Sequence, residues 1–296
     1  MMQLVVDGGH VLGEGIIWNP ATRRLLWTDI ESSELWSHDP ASGLLERWPL
    51  PERLCSMALT EDDERLLLAL ASGLAFFDLP SGEMTRICEV EAHLPATRLN
   101  DGRVDRQGRF VFGAFNQADN PKHPIGGFYR LNRDLSLERL PLGGVAIANS
   151  ICFSPDGRTM YYCDSATRDI RCCDYDPGGA VANPRVFAAA DAAPGDPDGA
   201  TVDADGYLWN ARWGAGQVVR FGPDGRVDRV LALPTPQPTC VAFGGAGLNI
   251  LYATSATVGL TRESLATASG AGGVFAQALD LRGLPEQRFR YVRSDL

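Results

Sequence analysis

Residues 148–165 read ANSICFSPDGRTMYYCDS: two β-rich apolar runs, Ile151–Phe153 and Met160–Cys163, joined through Pro155-Asp156-Gly157. Proline presets the turn dihedral and glycine takes the left-handed conformation, so the segment reads as a β-hairpin. The same unit recurs along the chain. RLLWTDI starts at Arg24, RLLLALA at Arg65, RFVFGAF at Arg109, TMYYCDS at Thr159, YLWNARW at Tyr207 and NILYATS at Asn249. The intervals are 41, 44, 50, 48 and 42 residues. A Gly/Asp/Pro-type turn precedes each run, and a second hairpin such as LAFFDLPSG or VVRFGPDGR follows it. Each unit therefore holds about four strands, and 3.6-residue apolar periodicity is nearly absent. Six such units predict an all-β chain, a six-bladed β-propeller of four-stranded blades filling residues 1–296 as one domain. A closed ring leaves no long exposed edge, and the leading QLVV at 3–6 is expected to pair with the last unit to close it.

Apolar residues make up 45% of the 296-residue chain and charged residues 22%, enough for a large buried core. The formal charge of −10 repels a phosphate backbone and excludes nucleic acid as a natural partner. The first ten residues lack the basic and apolar regions of a signal peptide, and no window approaches the ~20 apolar residues of a membrane span. The seven cysteines form no C-x-x-C pair and mostly sit in strand-like runs. Reduced core thiols in a cytoplasmic protein are the expectation.

Counting back nine or ten residues from each run reaches Glu14, Ser56, Asn100, Asn149, Asp198 and Thr239. These are equivalent positions, at the start of each innermost strand, and in a propeller such positions converge on the central axis. All six carry oxygen. Converging carboxylates repel unless a cation or a shared proton compensates. Carboxylates and amides without sulfur or imidazole suit a hard divalent cation, Ca²⁺ first, with Mg²⁺, Mn²⁺, Zn²⁺ and Fe²⁺ as the other candidates. Arg98 lies two residues before Asn100, on the same strand face, where a guanidinium can anchor a substrate oxygen. The four histidines are scattered, which gives no support to a zinc triad or a Ser-His-Asp site. Trp213 is a candidate contact for a sugar ring, and SGAGG at 269–273 reads as a loop within the last blade.

LGEGIIW at 12–18, RLNDGRVDRQGRFVFGAF at 98–115, the opening segment, PDGATVDADGYLWNARWGAGQVVRFGPDG at 197–225 and PTCVAFGG at 238–245 together resemble the regucalcin/gluconolactonase family, the senescence-marker-protein and luciferin-regenerating-enzyme group. The resemblance spans nearly the whole chain. It implies a six-bladed propeller with one divalent metal in the central channel, held by Glu14, Asn149 and Asp198. It places Arg98 and Asn100 at substrate, and Asn116 and Gln117 in the substrate pocket, where some members carry an acidic residue. Hydrolysis of sugar-acid lactones to aldonic acids is the implied reaction, in bacterial members on arabinono-, xylono-, glucono- or galactonolactones within sugar oxidation routes. The Pro/Gly-rich ADNPKHPIGG at 118–127 is a candidate lid.

The expected mechanism has the cation polarise the carbonyl, Asp198 take the proton of the attacking water, and Arg98 with Asn100 orient ring hydroxyls. Two other functions stay open at this point: a phosphotriesterase-like or other ester hydrolase on the same scaffold, and a non-catalytic calcium-binding propeller.

Overall fold

A computed structural model describes residues 1–118 and 121–292. Six four-stranded antiparallel sheets form a ring of blades. The innermost strands are Gly13–Asn19, Leu54–Leu59, Thr97–Val104, Ala148–Phe153, Asp196–Val202 and Pro238–Gly244. The runs recognised in the sequence are the second strands, from Arg24–Asp29 to Ile250–Ser255. Inner strands such as Leu54–Leu59 are buried at every residue, whereas the outer Leu45–Pro49 alternates exposed and half-buried. A blade is thus largely buried near the axis and amphipathic at its rim.

The hydrophobic core lies between blades. Ile17 and Leu26 of blade one meet Met57 and Leu68 of blade two. Trp209 and Val218 of blade five meet Val241 and Leu251 of blade six. The ring closes as expected: Gln3–Val6 pairs antiparallel with Val274–Ala278 and completes blade six, while Val6 joins Trp18, Trp27 and Tyr252 in the last interface. SGAGG lies in the connection before Val274, next to the short helix Arg262–Thr267, the one helix among the described residues. The seven cysteines are free, and all but Cys88 are buried.

One feature lies outside the repeat. Residues 282–292 cross the far ends of the inner strands: Ala204 N–H donates to Arg282 O, Phe289 N–H to Leu59 O, and Arg290 N–H to Gly108 O. Glu286 pairs with the buried Arg103 at 2.6 Å, and fully buried Phe289 packs on Phe76 and Tyr291. Phe289→Ala is expected to cost about 3 kcal/mol of unfolding free energy, read by urea titration. A loss below about 1 kcal/mol would show that this strap does not hold the ring.

Candidate metal and substrate site

Each inner strand slips register just after its entrance. The shifts lie between Glu14/Ile17, Leu54/Ser56, Leu99/Gly102, Asn149/Cys152, Pro197/Ala200 and Pro238/Val241. Such bulges re-aim side chains. Behind Glu14 and Asn149 the backbone turns left-handed, at Gly15 (φ 58°) and Ser150 (φ 60°). Glycine adopts this freely, but serine needs compensation. Ser150 Oγ donates to the backbone oxygen of Asp198 at 2.7 Å and accepts from Asn210 Nδ2 at 3.0 Å.

Four of the bulges, those of blades one, three, four and five, face a cavity of about 220 Å³ lined by Leu12, Glu14, Arg98, Asn100, Phe115, Lys122, Ile147, Asn149, Ser165, Asp196, Pro197, Asp198 and Trp213. At its floor the Glu14 and Asp198 side chains share a hydrogen bond. Burial, then the nearby Asp101 carboxylate, pushes Glu14 up to about 8. Burial and then Glu14 push Asp198 well above the carboxylate range. Two carboxyls this close and this dry hold a proton between them or a cation.

A polar chain runs along the wall. Arg98 Nη1 donates to Asn100 Oδ1 at 2.5 Å, and Asn100 Nδ2 to Asn149 Oδ1 at 3.1 Å. Asn149 Nδ2 donates to Ser165 Oγ, which donates to Pro197 O. The Asn149 oxygen is thereby turned away from Ser165, toward the Asn100 side of the cavity. The Arg98 guanidinium lies 4.4 Å over the Phe115 ring, and its buried Nε has no hydrogen-bond partner among the described residues.

Among the described residues no group of three or more His, Cys, Asp and Glu side chains could hold a metal ion. The donor chemistry nonetheless suits a hard cation, because the cavity lining brings together the Glu14 and Asp198 carboxyls and the Asn149 amide.

Four of the six equivalent positions thus line the cavity, and two do not. Thr239 Oγ1 donates instead to Gly13 O and bonds Thr254 Oγ1, because a short hydroxyl meets its neighbour's backbone before it reaches the axis. Ser56 Oγ is buried without a hydrogen-bond partner among the described residues. Asn116 and Gln117 also lie outside the cavity lining. Asn116 is buried, donating to His123 O and accepting from Ala118 N–H. Gln117 is exposed and accepts from Arg53. The lining residues from this region are Phe115 and Lys122. In the 118–127 segment, residues 119 and 120 lie outside the described residues. Lys122 Nζ donates to Asn116 O and Ala118 O and sits 4.7 Å over Phe115, so the Phe115 ring carries two cations. Sequence reasoning passed over Lys122, although the Pro/Gly-rich composition around it had marked the segment. Asp101 was missed because only one residue per unit was compared.

Residues 12–257 match the SMP-30/Gluconolactonase/LRE-like region. The chain is 55% identical to the L-arabinolactonase of Azospirillum brasilense over 97% of this chain and 94% of that protein. It is 34% identical to a pentonolactonase of Haloferax volcanii over 96% of each. Among solved structures, that of regucalcin from Agrobacterium tumefaciens, a calcium-binding protein, superposes with a TM-score of 0.93 at 30% identity, covering 98% of this chain and 97% of that one.

Proposed function

The chain belongs to the SMP-30/gluconolactonase/LRE-like family, and from that membership we propose that its cavity hydrolyses a sugar-acid lactone, L-arabinonolactone before other pentono- and hexonolactones, at one divalent cation held by Glu14, Asn149 and Asp198. The chain is a sugar-lactone hydrolase. The observation that carries the site assignment is the pairing of half-buried Glu14 with buried Asp198 in the cavity lining, two carboxyls that only a cation or a shared proton makes stable together. Calcium is the first candidate for the ion. We further propose a single propeller domain over 1–296 and a cytoplasmic setting, the latter on the free cysteines. Among the described residues no helix is long and apolar enough to cross a membrane.

A cation bound there would polarise the lactone carbonyl as a Lewis acid. Asp198 takes the proton of the water that adds to the carbonyl carbon, since burial makes its carboxylate a stronger base than one in water. The ring C–O bond then breaks, and the departing ring oxygen takes the proton back from Asp198, leaving the aldonic acid, whose carboxyl releases its proton to solvent. Arg98 and Asn100, which both line the cavity, hold sugar hydroxyls in register with that water. Trp213 supplies an apolar face against which a ring packs.

A pH-drop assay on a panel of pentono- and hexonolactones, run after chelation and again with Ca²⁺, Mg²⁺, Mn²⁺ or Zn²⁺ restored, tests the proposal. Turnover that vanishes with chelation and returns with a cation is the expected result. Cation binding without turnover of any lactone would favour the non-catalytic propeller, and unchanged turnover after full chelation would remove the cation. Arg98→Lys is expected to raise KM about tenfold with a smaller change in kcat, because a single ammonium cannot reproduce the planar fork. An unchanged KM would take Arg98 off the substrate.

A further inference from the structure

The three blades proposed to supply cation ligands differ from the other three at one position on the neighbouring strand. Across each hairpin, the residue just before the proposed ligand pairs with a charged residue: Gly13 with Asp29, Ala148 with Asp164, and Pro197 with Arg212. At the corresponding place blades three and six carry Ala114 and Ser255, and in blade two, where Cys55 is unpaired in the bulge, the nearest facing residue is Leu70 opposite Leu54.

Each charged side chain grips the segment that leads into its ligand. Asp29 accepts from the Leu12 and Val11 amides, both at 3.0 Å. Asp164 accepts from the Ile147 amide at 3.0 Å and the Ala146 amide at 2.8 Å. The two clamps are superposable in sequence: each holds the amides two and three residues before Glu14 or Asn149. In blade five the chain turns carbonyls inward instead, with Gly195 at φ 77°. A cation takes the place of the anion there: Arg212 donates to Ala193 O at 2.9 Å, Pro194 O at 3.1 Å and Gly195 O at 2.7 Å. Asp29 and Arg212 are buried, 3% and 2% exposed, so these charge-assisted bonds are shielded from water. The clamped segments also carry Leu12 and Ile147 of the cavity wall.

We propose that Asp29, Asp164 and Arg212 are positioning residues, one per ligand, that preset Glu14, Asn149 and Asp198 for the cation by locking the backbone in front of each. This rests on the ligand assignment above. A bound cation selects oxygens held in place beforehand, and the residues behind the ligands set how much ordering remains to be done on binding.

The test is calorimetric titration of the chelated protein with Ca²⁺, alongside its thermal melt and amide hydrogen exchange. Asp29→Asn, Asp164→Asn and Arg212→Lys keep size and are expected to weaken Ca²⁺ affinity about 10–100-fold, with faster exchange at Val11 and Leu12 in the first and at Ala146 and Ile147 in the second. Asp203→Asn is the matched control. Asp203 is as deeply buried and accepts from the amides of Asp205 and Tyr207 and from Trp209 Nε1, at the far end of blade five. It should lower the melting temperature yet leave Ca²⁺ affinity within about twofold. If the clamp variants behave like Asp203→Asn, losing melting temperature but not affinity, the clamps are merely structural and the proposal is wrong. If Glu14→Gln and Asp198→Asn also leave affinity untouched, the ligand assignment itself is wrong, and the positioning role goes with it.

Discussion

Asp198→Ala is expected to lower kcat/KM on the preferred lactone by at least about a thousandfold, the range that removal of a general base commonly reaches. The substitution takes away two things at once. The cavity floor loses one of two carboxylates that share a hydrogen bond, and the reaction loses the group that accepts the water's proton. Asp198→Asn separates the two, since it retains an oxygen facing the axis and deletes only the charge and the basicity. Its Ca²⁺ affinity should therefore fall less than that of Asp198→Ala, while its turnover at saturating cation stays as low. Single-turnover measurement at saturating lactone, with the cation titrated beside it, reads both effects. Turnover by Asp198→Ala within tenfold of the native protein would take Asp198 out of the chemistry.

The chelated protein is expected to lose stability as pH rises from about 4.5 to about 8, against the usual behaviour of a carboxylate-rich chain. The sign follows from the direction of the shift. Burial raises Glu14 from 4.5 to about 8 in the folded chain, so between those values the folded state binds more protons than the unfolded one. Raising pH then favours unfolding, and the contribution is fully present below the unfolded value and gone above the folded one. At about 1.36 kcal/mol per pH unit, the span sets a ceiling of about 5 kcal/mol. Asp198 is displaced in the same direction by burial and by Glu14, and the two titrate as a pair. Saturating Ca²⁺ should flatten or reverse the trend, because the deprotonated pair is the form that binds a cation. Urea unfolding at pH 5 and pH 8, with chelator and with Ca²⁺, measures it. A chelated protein at least as stable at pH 8 as at pH 5 would mean that Glu14 and Asp198 are not held together in a dry site.

Fold and site were unequally legible. Blade number and strand placement could be read because they rest on local chemistry: Pro-Asp-Gly and similar turns, short β-rich apolar runs, and a spacing of 41 to 50 residues. The phase argument brought Glu14, Asn100, Asn149 and Asp198 to one cavity because a ring converts a recurring sequence position into a common height on the axis. It overreached at Ser56 and Thr239: the Thr239 hydroxyl is drawn to the Gly13 carbonyl, and the Ser56 hydroxyl is buried outside the cavity lining. Asn116 and Gln117 were placed by likeness to relatives, and in the folded chain the one braces the following loop while the other faces solvent.

The sequence by itself determined that this chain is a six-fold repeat of four strands and, in four of the six repeats, which residue lines the cavity, because turns and apolar runs act over a few neighbouring residues. Only the tertiary structure decided that Glu14 and Asp198 share a hydrogen bond, that Lys122 and Phe115 form a wall, that residues 282–292 strap the far face, and that Asp29, Asp164 and Arg212 stand behind the ligands. Those contacts depend on burial and on distances between segments far apart in the chain. No local pattern encodes them until the ring has closed.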